Sequence, residues 1–232
     1  MNYRPLMSLA GMLVGVGLCQ PVAAAALDAL TSADKTSALR TALTQSAQAA
    51  VGRLGVKDGF LGNPEVRIPL PGKLDKARKL LKTVGLGPQT EELVTAMNRA
   101  AEAAVPEAKT LLLDSVRQMS IADATAILSG PDDAATQYFK RTTSEKLAAR
   151  FQPIVQKATE KVGLAQKYNA LGGKASQYGL VDARDANIES YVTQKTLDGL
   201  FLMMAKEEAA IRKNPLGQSS AILKKVFGLL GK

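Results

Sequence analysis

Carboxylates acting with Arg, Tyr or Lys are what this chain can offer to acid–base chemistry or ligand binding, because it has no His, no Trp and a single cysteine, Cys19. Arg99 and Glu102, three residues apart, can pair, and with Asn98 they share the helix face away from the apolar stripe Leu93, Val94, Met97, Ala100, Ala101 and Ala104. The group reads as a surface ion pair or, if a second layer covers that face, as a tie between a helical body and a neighbouring arm through Arg67 or Asp58. Glu208 and Arg212, four apart, read as a local ion pair or a ligand contact. Adjacent acids occur at Glu91-Glu92, Asp132-Asp133 and Glu207-Glu208. Neighbours on a helix point about 100° apart, so these are helix-start charges or solvated faces rather than catalytic carboxylate pairs. Walker, dinucleotide, EF-hand and metalloprotease spacings are absent. The residues therefore nominate no catalytic side chain, no cofactor and no metal site, and only a hard cation such as calcium would suit the oxygen ligands that remain.

The cysteine lies in a segment that reads as an export signal. Arg4 is the positive n-region, Leu6 to Leu18 the apolar core, and Ala23 to Ala26 a small-residue cleavage site. The expectation is a periplasmic protein with residues 1–26 removed. Lipid modification at Cys19 is the weaker reading, since Leu18 is larger than the residue such a site needs in front. The apolar run is also shorter than the ~18 residues that cross a bilayer.

With 46% hydrophobic and 22% charged residues, the composition is globular, and residues 27–232 are expected to form one domain. Losing Arg4 and no acid takes the formal charge from +9 to +8. For an exported chain, that charge points to lipid head groups, lipopolysaccharide phosphates or acidic proteins and away from nucleic acid; the plainer reading is solubility. At 4% aromatic residues, a sugar-binding cleft fits poorly, whereas small and aliphatic side chains suit closely packed helices.

The elements that must position these groups are mostly helical. Apolar residues recur at threes and fours from Leu27 to Val51, from Glu91 to Val105 and from Asn187 to Lys213, the last apolar nearly all round and so expected to be central. Pro106 opens a helix through Met119, Ser120 with Asp123 caps Ile121 to Leu128, and Thr142 with Glu145 predicts a further start leading to Val162. Leu74, Ala77, Leu80, Leu81 and Val84 gather on an arc of roughly 120°, with Lys76, Arg78, Lys79 and Lys82 on the other side. Gly85-Leu86 and Gly163-Leu164 read as Schellman endings, and Gly172-Gly173 and Gly179 as interruptions. Residues 52–72 are irregular: Val66, Ile68 and Leu70 alternate, but Pro69 and Pro71 cannot donate to a ladder. The expected fold is all-α, a bundle of about eight to ten helices with one small β-hairpin or extended arm, Phe60 pairing near Ile68.

The strings DGFLGNPEVRIPLP, MNRAAEAAVPEAK, MSIADATAILSGPDDAATQYF, YVTQKTLDGLF and EEAAIRKNP, in this order, resemble the domain of unknown function 4197 family, exported helical proteins of Gram-negative bacteria. The resemblance spans Leu27 to Phe227 and implies one mostly helical periplasmic domain. It implies no activity, and it nominates Asp58, Asn63, Arg67, Asn98, Arg99, Glu102, Tyr138, Tyr191, Glu208 and Arg212 as ligand or arm-anchoring candidates. The leading expectation is a binding or scaffolding module for a protein partner or amphiphile. The alternatives are a metal-independent, carboxylate-based hydrolase or lyase, and an envelope protein that touches anionic lipid or lipopolysaccharide through Lys76, Arg78, Lys79, Lys82 and the helix Ala221 to Leu230.

Overall fold

The computed structural model describes residues 32–76, 78–177 and 187–214. The export signal, Cys19, Gly179, the helix 221–230 and the side chain of Arg78 lie outside the described residues.

The described residues are mostly helical and contain no strand. In chain order the helices are α1 (Ser32–Leu54), α2 (Gly72–Lys76), α3 (Arg78–Thr83) and α4 (Gly87–Ala104), then a 3-10 turn (Val105–Glu107) leading into α5 (Ala108–Gln118). They continue with α6 (Ile121–Ser129), α7 (Ala134–Thr159), α8 (Gly163–Gln177) and α9 (Ile188–Lys213). One apolar core runs through them, with Leu39, Leu54, Met97, Leu112, Phe139, Phe151 and Leu200 among its closed side chains. The centre of the bundle is α9, which packs against α7, α1 and α4. Small residues make this closeness possible: Ala100, Ala101 and Ala104 are fully buried on α4.

Local chemistry explains several boundaries. Ser120 accepts a hydrogen bond from the Asp123 amide at 3.1 Å, and Asp123 accepts one from the Ser120 amide at 3.2 Å, a reciprocal capping box. Asn187 caps α9 through the Ser190 amide at 2.7 Å. Gly85, at φ +80°, ends α3 with Leu86 N–H donating to Leu81 C=O at 2.8 Å, the Schellman arrangement.

Other boundaries differ from expectation. The helix α7 runs straight through Thr142, whose hydroxyl meets Tyr138 C=O at 2.9 Å and Ser115 Oγ at 2.8 Å instead of capping a new start. Gly163 opens α8 rather than closing a helix, and Gly172-Gly173 lie within it. The arc on α3 is only partly covered: Leu81 is half-buried, but Leu80 is 65% exposed and Val84 60%. On α9, Leu202 is likewise 42% exposed, so the central helix is not enclosed all round.

The segment from Gly55 to Pro71 is the arm. Its first part is a chain of turns and its last part extended, without the expected hairpin. The reason is the side chain of Asn98: it supplies both the acceptor and the donor that a second strand would have offered to Ile68. Phe60, Val66, Ile68 and Leu70 point inward and are buried, and burial of Phe60 contributes roughly 1.5 to 3 kcal/mol.

Candidate functional site

Two buried side chains on α4, Asn98 and Glu102, together with the half-buried Arg99 and the arm's own turns, fix the arm. Asn98 is fully buried; its Oδ1 accepts from Ile68 N–H at 2.8 Å, and its Nδ2 donates to Ile68 C=O at 2.9 Å and to Val94 C=O at 2.8 Å. One amide thus satisfies both backbone groups of an extended residue that has no ladder partner. One turn further along α4, Glu102 Oε1 accepts from Phe60 N–H and Leu61 N–H, each at 3.0 Å. Its Oε2 takes the Arg99 guanidinium at 2.6 Å, and the other end of that guanidinium reaches Asp58 at 2.7 Å. Hydrogen bonds first to Glu102 and then to Asp58 push the Arg99 guanidinium still higher than its ordinary value. Asp58 adopts φ 66°, a left-handed conformation that Asp tolerates better than most residues.

The tie from α4 to the arm therefore runs through Asp58 and the Phe60 and Leu61 amides. It does not run through Arg67, which points outward, exposed, because Val66 and Ile68 on either side of it take the inward positions. Asn63 shapes the turn before it, its Oδ1 accepting from Glu65 N–H at 3.1 Å and its C=O from Arg67 N–H at 2.8 Å. From the opposite side, Tyr191 of α9 donates to Pro69 C=O at 3.1 Å. Gly199, also on α9, lets the arm come close: a Cβ there would stand 2.8 Å from the Phe60 ring.

A second buried carboxylate does a similar task elsewhere. Glu208 of α9 accepts from Ala135 N–H and Thr136 N–H, both at 3.0 Å, and so caps α7 from across the core. Arg212 neutralises it at 3.1 Å and donates to Ile127 C=O at 2.9 Å, joining α9 to the end of α6. Tyr138 is a core tie, its hydroxyl donating to Ser115 C=O at 2.9 Å. The oxygens of Glu102 and Glu208 are thus occupied by N–H and O–H donors from the protein itself, and both carboxyls are spent on holding the fold together. Among the described residues, no three His, Cys, Asp or Glu side chains gather as a metal ligand set.

What the locked arm leaves open is a groove of about 530 Å³ between its outer face and α9. Arg67, Pro69, Asp75, Lys195, Asp198 and Leu202 line it, with Tyr191 among the residues at its wall. Lys195 lies 3.6 Å from Asp198 and 5.9 Å from the Tyr191 ring centroid. Glu65 at its rim pairs with Lys206. Among the described residues Arg67 makes no ion pair and no side-chain hydrogen bond. A larger open depression of about 840 Å³ lies beside α1, but its cations are engaged, Arg40 with Met119 C=O at 2.8 Å and Arg117 with Asp114 at 2.7 Å.

Of the nominated residues, Asp58, Asn98, Arg99 and Glu102 come together beneath the arm, Asn63 shapes its turn, and Arg67 and Tyr191 lie at the groove. Glu208 and Arg212 form a separate cluster, and Tyr138 stands apart in the core. Lys76, Lys79 and Lys82 are exposed on α2 and α3. The sequence reading missed Lys195, Asp198, Leu202 and Asp75 as groove residues. Gly199, a glycine inside a strongly helical apolar run, was the available signal that another segment approaches α9 there.

No curated protein and no solved structure matches the chain. A family model does match it, over residues 29–228, and that span takes in the arm, its α4 anchors and the groove. The chain therefore belongs to the family described as protein of unknown function (DUF4197).

Proposed function

We propose that this is an exported periplasmic binding module that holds a segment of a protein partner in the groove beside the arm. The observation that carries the reading is Arg67. A buried amide and a buried carboxylate fix the backbone on both sides of it, yet its own guanidinium is exposed and, among the described residues, unpaired. A polar network that rigid lowers the ordering cost of a binding surface, which is how fixed loops gain affinity. The groove mixes free charge with the exposed apolar Leu202, a lining that suits a polypeptide carrying both acidic and apolar side chains.

The test is photocrosslinking in the periplasmic fraction, with a photoreactive residue at Leu202 and a control at the exposed Lys109 of α5. A discrete adduct from position 202 and none from 109, lost in Arg67→Glu without a change in melting temperature, is the expected result. Equal products from both positions, or an adduct indifferent to Arg67→Glu, would remove the groove from consideration. The export half is read on the same fraction: its N-terminal sequence should begin just after Ala24 or Ala26, and a lipid-modified Cys19 would contradict it.

A further inference from the structure

Immediately after the arm the chain becomes strongly cationic. Between residues 72 and 90 it carries Lys73, Lys76, Arg78, Lys79 and Lys82 against one acid, Asp75. The helices α2 and α3 cover this stretch, and α3 is docked on one side only: Leu81 is half-buried, whereas Leu80 and Val84, one turn apart on the same face, are 65% and 60% exposed. Lys76, Lys79 and Lys82 are exposed on the same two helices and, among the described residues, have no ion pair or hydrogen-bond partner. The Gly85-Leu86 Schellman ending fixes where the helix stops, so this apolar pair is held at a defined edge of the molecule.

Two large exposed apolar side chains on a short segment whose lysines are exposed and, among the described residues, unpaired are the complement of a surface that is negatively charged outside and apolar just beneath. An acidic protein would match the lysines but would need an apolar cleft of its own in register to take Leu80 and Val84. A neutral apolar partner would leave three ammonium groups desolvated. An anionic phospholipid bilayer satisfies both, with lysines at the head groups and the two side chains in the interfacial layer. We propose that the α2–α3 edge docks peripherally on anionic phospholipid membrane. No described helix is long and apolar enough to cross a membrane, so this would be contact with a surface. Of the groove's lining only Gly72 and Asp75 lie on α2, while Leu80, Val84 and the three lysines fall outside it, so the two proposals fail separately.

The experiment is co-sedimentation of the exported chain with vesicles of phosphatidylcholine alone or with about one-third phosphatidylglycerol, at low and high salt. Binding to the anionic vesicles only, weakened about tenfold by salt, is expected, since exposed charge is screened. Lys79→Gln/Lys82→Gln and Leu80→Ser/Val84→Ser should each reduce it about tenfold at unchanged melting temperature, because both charge attraction and apolar insertion contribute. Arg67→Glu should alter vesicle binding far less than either double variant. Equal binding to both vesicle types, no binding, or indifference to both double variants would overturn the proposal. It would also be overturned if the protein dimerised in light scattering and Leu80→Ser/Val84→Ser abolished the dimer, because a second copy would then be what covers this face.

Discussion

Asn98, Glu102 and Glu208 share one habit: each buries a polar side chain in order to bind backbone amides of a distant segment. Sequence could name them but not assign that task, because an acid three or four residues from an arginine looks alike whether or not a helix start or a loop lies across from it. Glu102 and Arg67 show this most sharply. Both were nominated and a pairing between them was plausible, but alternation along Val66, Arg67 and Ile68 turns Arg67 outward while Glu102 spends its oxygens on Phe60, Leu61 and Arg99. Glu102→Ala should therefore cost on the order of 3 kcal/mol, since it leaves two amides and a guanidinium without their acceptor. Arg67→Ala should cost less than about 0.5 kcal/mol, as for an exposed side chain without partners. Thermal unfolding of both singles and the double should give additive losses, and a strong coupling would mean that Arg67 does anchor the arm.

At the scale of elements, the parts legible in the sequence were those whose cause is local. Ser120 with Asp123 is one such case, and Gly85-Leu86 another, because the groups that satisfy each helix end lie within a few residues of it. Thr142-Glu145 has the same spelling as a cap but lies mid-helix, where core contacts of Tyr138, Phe139 and Thr143 carry α7 through. The arm was legible as an irregular, extended segment, but its expected hairpin pairing was not, since its strand partner is a side chain about thirty residues away. The local cap gives a pH prediction. Ser120 O–H, then Ser120 N–H, hold the Asp123 carboxyl below its ordinary value of 3.8. A depressed folded value means the stabilisation is present above the unfolded value and is lost as pH falls through the folded one. Ser120→Ala should cost about 1 kcal/mol at neutral pH, and the gap to wild type should narrow as pH falls below 3.8 and through the depressed folded value, where Asp123 protonates. A gap that widens in acid would show the sign to be wrong.

For the whole molecule, α9 is the member that links core, arm and groove. It centres the bundle, caps α7 through Glu208, supports Pro69 through Tyr191 and leaves room for Phe60 at Gly199. Gly199→Ala should loosen the arm although Ala favours helix, because the new methyl would overlap the Phe60 ring; a loss of about 1 to 3 kcal/mol is expected from such overpacking. A stabilised Gly199→Ala in thermal unfolding would mean that the arm does not sit against α9. The helical class was legible because periodicity and composition agree over most of the chain, and a tie between arm and bundle was among the readings, while the backbone groups that make the tie were not legible, because they meet their side chains across long sequence separation.

Residue-resolved amide hydrogen exchange tests most directly whether α4 holds the arm. In the wild-type protein the amides of Phe60, Leu61 and Ile68 should be protected nearly as well as those of α4 and α9, despite lying in a segment without secondary-structure ladders. Asn98→Ala should then release Ile68, and Glu102→Ala should release Phe60 and Leu61, while the α9 amides stay protected. If the three arm amides instead exchange in the wild type as fast as an open loop, Asn98 and Glu102 are not the arm's anchors, and the rigid presentation of Arg67 falls with them.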